Sequence, residues 1–296
     1  MGKNLRRDEL LAFCHIHKTG GITVNHVLRR HFGVRHVDVF YRRLALSQGR
    51  KRPSYNARDL RVDLMLHPFA KSVAGHMLKP FLDLGEYQER LVWHTVLREP
   101  ISRSLSAYQH MVEKMGFTGT IQDWMKDWTT RSGQVVWLAG EEDVEAAKQV
   151  LATRVRAFGL TEKFNESLLI VRDRLGLDGM RVAYPRALNT SKDRGLRERI
   201  RDKWDEYGDD LTEFCELDLA LYHYALQELW PKQVEDYGRE RLERDLEAEF
   251  RSPRVALGDR LRWAANLAYR NAVYRPCIWV DRWRNLRREA VYSKPD

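Results

Sequence analysis

The sequence predicts an α/β protein: a P-loop-like central parallel sheet flanked by helices, followed by a helical C-terminal extension. Three observations carry that expectation. The runs Leu10 to Ile16 and Leu91 to Leu97 are short and apolar, and the second has the β-branched and aromatic content of an interior strand. Each run is broken by a turn signal, Lys18-Thr19-Gly20-Gly21 after the first and Arg98-Glu99-Pro100 after the second, and a segment of helical spacing follows. Strands separated by helices pair in parallel, because a crossover helix is needed to bring the chain back to the same end of a sheet.

Taken in order, Leu10 to Ile16 is a buried strand. Thr23 to Phe32 is its helix, with Val24, Val27 and Leu28 at helical spacing. Val34 to Tyr41 reads as a short strand. Leu44 to Asp59 is polar and basic, contains Gly49, Pro53 and Asn56, and is expected as a surface loop. A helix over Asp59 to Met65 and a strand over Ser72 to His76 follow. The Leu91 to Leu97 strand leads to a helix from Ser102 to Lys114. Between Gly119 and Ala152 the pattern predicts two helices joined by a loop at Thr130 to Gly133, with Trp124, Trp128 and Trp137 as core or interface aromatics. Arg156 to Leu160 is a strand, Phe164 to Leu175 a helix and Arg181 to Tyr184 a further strand. The loop Pro185 to Arg194 carries three cationic and three small polar side chains. Leu211 to Trp230 is an amphipathic helix stopped by Pro231, and Val234 to Phe250 is charged enough to be largely solvated. The expected division is residues 1–233 as the main domain and 234–296 as the extension. In the latter, Arg254 to Tyr292 interleaves arginines with Trp263, Tyr269, Tyr274, Trp279 and Trp283. Such a segment can lie on an anionic membrane, hold an acidic polymer, or pack its aromatic side on the domain.

Composition narrows the partners. A chain of 296 residues with 43% hydrophobic residues can bury one substantial core. The net charge of +9 favours an anionic partner: a nucleotide, an acidic polysaccharide, a nucleic acid or a phospholipid surface. Cys14, Cys215 and Cys277 are odd in number and far apart, so the sequence shows no disulfide framework or zinc spacing, and a reducing compartment fits best. Leu10 to Phe13 is too short for a signal-peptide core, and no stretch approaches about 18 uninterrupted apolar residues. A soluble, cytoplasmic protein is expected, with peripheral membrane contact left open through the C-terminal tail.

The chemistry concentrates at two turns. In His15-Ile16-His17-Lys18-Thr19-Gly20-Gly21-Ile22-Thr23, two glycines let the backbone bend with its N–H groups inward, and the helix that follows adds the positive end of its dipole. Lys18 brings a point charge, and Thr19 and Thr23 bring hydroxyls. The lysine precedes the glycines, so this is not the nucleotide-triphosphate loop, in which it follows them. The second turn, Arg98 to Tyr108, offers a guanidinium fork at Arg98 and a hydroxyl at Ser106 on the next helix.

In this order and spacing the motifs resemble those of the PAPS-dependent (3′-phosphoadenylyl sulfate) sulfotransferases, in particular the branch of heparan and uronyl 2-O-sulfotransferases and their bacterial relatives. The family's first motif, His-Ile/Val-Pro-Lys-Thr/Cys-Gly-Gly-Thr/Ser, binds the 5′-phosphosulfate. Its second, Arg-x-Pro-x-x-Arg-x-x-Ser-x-Tyr, binds the 3′-phosphate and is matched by Arg98, Pro100, Arg103, Ser106 and Tyr108. Gly75-His76 stands where the family carries a Gly-His with a catalytic base. Gly159-Leu160-Thr161-Glu162 and the loop holding Ser191 and Lys192 also match, so the resemblance covers roughly Leu10 to Trp230. His17 replaces the family's proline, and Ile22 replaces a hydroxyl residue.

The resemblance implies sulfuryl transfer from PAPS to a hydroxyl of a carbohydrate, in line and without a metal ion, with an anionic glycan acceptor favoured by the positive charge and no nucleic-acid partner. It implies Lys18 and His76 as catalytic residues. It implies Lys18, Thr19, Gly20, Gly21, Ile22, Thr23, Arg98, Arg103, Ser106, Ser191 and Lys192 as nucleotide-binding residues. His67, His94 and His110 are rival bases; His15 and His17 alternate on a strand as metal ligands could, but nothing else supplies ligand spacing, so a structural role for His15 and a local one for His17 are expected. Two other readings stand beside this one. A P-loop kinase of unusual sequence would need a metal-binding Asp and a lysine inside the glycine loop, and neither is evident. A non-catalytic module would hold an acidic polymer or a membrane through the tail.

Overall fold

The computed structural model describes residues 5–47, 50–127, 133–184, 204–251 and 255–292. Strand β1 (Leu10–Cys14) turns into α1 (Gly21–Phe32), and the chain returns as the short β2 (His36–Asp38). An antiparallel pair, β3 (Arg43–Ser47) and β4 (Arg50–Ser54), precedes α2 (Ala57–Leu66) and β5 (Ser72–Gly75). Then come β6 (Leu91–Leu97), α3 (Pro100–Met115), α4 (Ile121–Asp127), α5 (Gly133–Ala139), α6 (Val144–Thr153), β7 (Val155–Leu160) and α7 (Phe164–Arg174). The C-terminal part is helical: α8 (Trp204–Phe214), α9 (Glu216–Tyr224), α10 (Trp230–Tyr237), α11 (Arg239–Phe250), α12 (Leu257–Tyr269) and α13 (Arg275–Tyr292). Among the described residues no helix is long and apolar enough to cross a membrane.

Five strands form one parallel sheet in the order β2-β5-β1-β6-β7. Every residue of β1 and β6 is buried, as continuous apolar runs in a two-sided parallel sheet must be. Cys14 pairs in register with Gly75 on one side and Thr95 on the other, so β1, β5 and β6 end along one edge. From β1 the chain leaves toward β2, and from β6 it leaves toward β7. The crevice beyond the ends of β1 and β6 is therefore the topological switch point, where open α/β sheets bind ligands.

Several expectations are corrected. The segment expected as a loop from Leu44 contains the β3–β4 ribbon. A two-stranded ribbon has a free edge on each strand, so it accommodates Pro53, which stands opposite Leu44. Among the described residues three helices, not two, follow Gly119 before β7. Gly133 opens α5, and Asp143 caps α6 by accepting from the Ala146 N–H at 2.9 Å; the other residues of the expected loop, and Trp128, lie outside the described residues. Arg181 to Tyr184 is not a strand, because side chains take its backbone groups. The Glu249 carboxylate accepts from Val182 N and Ala183 N, and Arg30 donates to the carbonyls of Arg181 and Ala183. Pro231 does not end a helix. It is the second residue of α10, which follows a π-helical turn, Ala225–Leu229, and such a turn absorbs the hydrogen bond that proline cannot make. Leu242, Tyr274 and Ile278 of the later helices are buried in the same core as the sheet, while Trp124 anchors a second cluster with Leu211 and Phe214.

Candidate functional site

After Cys14 the chain curls tightly. Ile16 N donates to Cys14 O at 3.2 Å, and the Thr19 hydroxyl donates to Ile16 O at 3.0 Å. Lys18 adopts φ 67°, the one positive value at a non-glycine position among the described residues, and Gly20 follows at 84°. A left-handed lysine costs about 1–2 kcal/mol, which the surrounding hydrogen bonds must outweigh. The Thr161 hydroxyl supplies some of that restraint, donating to Thr19 O and Leu97 O at 3.0 Å each. Gly21 begins α1 against the His15 ring; a Cβ there would lie 2.0 Å from its Cδ2, so only glycine fits. The start of α1 has no side-chain cap and no acidic residue in its first turn. Its first N–H groups have no intrahelical acceptor, and they meet an anion-binding geometry with Lys18 alongside. Thr19 contributes backbone only, because its hydroxyl is spent inside the turn. Thr23 is buried with its N–H on Gly20 O, and Ile22 is exposed.

The β6–α3 turn is built differently. The Glu99 carboxylate accepts from Ile101 N at 2.9 Å and Ser102 N at 2.7 Å, so the chain's own acid occupies the positive end of α3. Any anion held here must be held by side chains. The Arg98 guanidinium donates to Lys18 O at 2.9 Å, and its backbone is clamped by Gln134, which accepts from Arg98 N and donates to Arg98 O. The cation of the second motif thus reaches the turn of the first. Ser106 is buried on α3.

Arg103, expected at the nucleotide, is 3% exposed and donates to Asp218 at 3.2 Å, and the same carboxylate accepts from Gln134 N and Val135 N. A guanidinium buried this deeply has to be paired, and Asp218 already pairs it. Ser191 and Lys192 lie outside the described residues.

His76 follows Gly75 at the end of β5. Its Nδ1 lies 2.7 Å from His15 O, and a carbonyl only accepts, so the proton sits on Nδ1 and Nε2 carries the lone pair. The ring is stacked on His17 with centroids 3.6 Å apart and lies 4.0 Å from His15. Trp137 meets the His17 ring edge-on at 5.2 Å, and Lys79 sits 4.2 Å over Trp137. Burial pushes the His76 pKa below its usual value, with Lys79 adding to the effect and the His15 carbonyl opposing it. Burial also takes His17 down to about 3 and His15 well below its usual range. All three imidazoles are therefore neutral at pH 7.

The rival histidines sit elsewhere. His94 is buried inside β6 with Nδ1 3.2 Å from Ala12 O, and His67 packs under Tyr269 and Tyr274. His110 is exposed on α3; the desolvation it does undergo lowers its pKa, and the nearby Lys18 charge adds to that. Among the described residues no group of three or more His, Cys, Asp or Glu is placed to hold a metal ion.

Sequence reasoning did not single out Gln134, Asp218 or the stacking of His17. No local signal marks the first two, whose partners lie 36 and 115 residues away.

No protein-family model and no curated protein matches the chain. Solved structures similar to parts of it include two sulfotransferases. A sulfotransferase from Alicyclobacillus acidocaldarius is 13% identical over 70% of this chain and 96% of that one, with a TM-score of 0.38. Mouse sulfotransferase SULT7A1 complexed with PAP is 12% identical over 87% of this chain and 89% of that one, with a TM-score of 0.39. At these scores neither likeness bears on what the residues of this chain do.

Proposed function

We propose that this protein is a sulfotransferase that moves a sulfuryl group from PAPS to a hydroxyl of a carbohydrate, with an anionic, uronic-acid-bearing glycan as acceptor. One observation carries the reading. The uncapped start of α1, Lys18 and the Arg98 guanidinium meet at a single turn beside an imidazole whose Nε2 lone pair is set by the His15 carbonyl. Such a site fits a doubly phosphorylated donor, since a helix start without its own acid is a place for an anion and Arg98 adds a second cation. PAPS supplies the activated sulfuryl group and a nucleotide as leaving group.

The turn from Lys18 to Thr23 is assigned the 5′-phosphosulfate, through its N–H groups and the Lys18 ammonium. Arg98 and Ser106 are assigned the 3′-phosphate, with Ser191 and Lys192 closing over the nucleotide. Arg103 holds α3 to α9 through Asp218 and so acts at one remove. His76 Nε2 takes the proton of the acceptor hydroxyl. A neutral imidazole at pH 7 suits that task, and the depressed pKa keeps it unprotonated. Catalysis then rests on alignment and on charge placed where the leaving phosphate gathers it. The reading requires no metal ion. The net charge of +9 favours the anionic acceptor, and the three free cysteines suit a cytoplasmic site of action.

The test is transfer of label from radiolabelled PAPS to a panel of glycans and small alcohols, with calorimetric titration of adenosine 3′,5′-bisphosphate. Binding of the bisphosphate and label on a uronic-acid glycan are expected, with Lys18→Ala lowering transfer about a hundredfold or more. A wild-type protein that does not bind the bisphosphate would refute the reading.

A further inference from the structure

Helices docked on a core turn their apolar side inward. The C-terminal rod of this protein does the reverse. From Leu257 to Arg284 the chain is helical through α12, a π-turn over Arg270–Tyr274 and α13. Its inward side is largely polar. Asn266 donates to Gly33 O and His36 O at 2.9 Å, Arg262 donates to Arg30 O, Arg270 to Asp38, and Tyr274 to Asp63, while Ile278 and the rings of Tyr269 and Tyr274 add apolar contact with the core. Leu257 is 72% exposed, Leu261 62%, Trp279 70% and Trp283 53%, and between them Ala268 and Ala272 are exposed as well. Steps of four and seven residues keep these side chains on one stripe, which at 1.5 Å per residue is about 39 Å long.

The charges around the stripe are of one sign. Arg260, Arg275 and Arg284 are exposed beside it. The two acids of the rod are occupied, Asp259 with Arg262 and Asp281 with Arg42. We propose that this face lies flat on an anionic lipid bilayer, its leucines and tryptophans at the level of the headgroups and acyl ends and its arginines against lipid phosphates. Tryptophan and arginine, amphipathic and long-stemmed, are the side chains suited to that depth. A second copy of the chain is a poorer occupant, since two stripes face to face would bring like-charged arginine rows together. The polar inward contacts matter here: they hold the rod to the body without using its apolar side. This inference stands apart from the sulfuryl-transfer reading and can hold if that reading fails.

The full chain is to be sedimented with phosphatidylcholine vesicles, and with vesicles of phosphatidylcholine mixed with phosphatidylglycerol. It should pellet with the mixed vesicles only, and less as salt is raised. The double variant Leu261→Ser/Trp279→Ser alters exposed side chains only, so its circular dichroism should match wild type while its vesicle affinity falls about tenfold or more. The triple variant Arg260→Ser/Arg275→Ser/Arg284→Ser should lose a similar factor. A wild-type chain that stays in solution with the mixed vesicles overturns the proposal, as does a double variant that pellets like wild type. Sedimentation velocity adds a third refutation: a dimer that Trp279→Ser splits would assign the stripe to a second copy.

Discussion

At the scale of single residues, the site turns on how His76 is held. The His15 carbonyl fixes its tautomer, and His17, stacked at 3.6 Å, covers one face of the ring. His76→Ala should lower transfer by about a hundred to ten thousandfold, the usual range for a lost general base, with the fold intact by circular dichroism. His17 is a positioning residue, and its test lies in the pH profile. Burial is the main cause of the lowered His76 pKa, so the base is unprotonated at neutral pH and the acid limb of the rate profile should fall below the usual histidine range. His17→Ala exposes the ring and should move that limb upward toward 6.5, with turnover about tenfold lower. His17→Phe keeps the stack and should leave the limb in place. A limb that does not move in His17→Ala would remove the positioning role.

At the scale of elements, Asp218 on α9 joins α3 to α5. It accepts from Arg103 and from the N–H groups of Gln134 and Val135 in the first turn of α5, all buried. Asp218→Ala strands a guanidinium and two amides and should cost about 3–5 kcal/mol in chemical denaturation. Replacing both ion-pair partners, Arg103→Met with Asp218→Leu, should recover much of that loss. Gln134, freed with Asp218, is the residue that clamps Arg98, so Asp218→Ala should also weaken binding of adenosine 3′,5′-bisphosphate. None of this pairing was legible in the sequence, because ion pairs across more than a hundred residues leave no local period. The strands were legible: β1, β5 and β6 are buried on both faces, so their apolar runs are continuous, and a glycine or proline signal follows each. The β3–β4 ribbon was missed because a basic, proline-bearing segment has the composition of a loop even when its backbone pairs. Pro231 misled for a related reason, since a π-turn lets the helical path continue past a residue that ordinarily ends one.

At the scale of the whole molecule, the buried histidines set how the protein responds to acid. Burial takes His94 and His17 down to about 3 and His26 to about 4, and lowers His36 as well. In the unfolded chain each would titrate near 6.5. Folded pKa values below unfolded ones mean that the unfolded state binds more protons between about pH 6.5 and 3, so stability is complete above that window and is lost as pH falls through it. At pH 5 a fully buried histidine such as His94 opposes folding by on the order of 2 kcal/mol, since each pH unit inside the window is worth about 1.4. Charge acts in the same direction. The chain carries +9 with its ten histidines neutral, and unfolding in acid lets the buried ones gain charge away from a compact, already positive body. Melting temperature followed by circular dichroism should be level from about pH 8 to 7 and should fall steadily from there to pH 4.5. His94→Gln removes one of the titrating groups, so whatever it costs at pH 7.5, its slope against pH should be shallower than that of wild type. A melting temperature that is unchanged or rising between pH 7 and 5 would mean that these imidazoles are not held neutral in the folded protein.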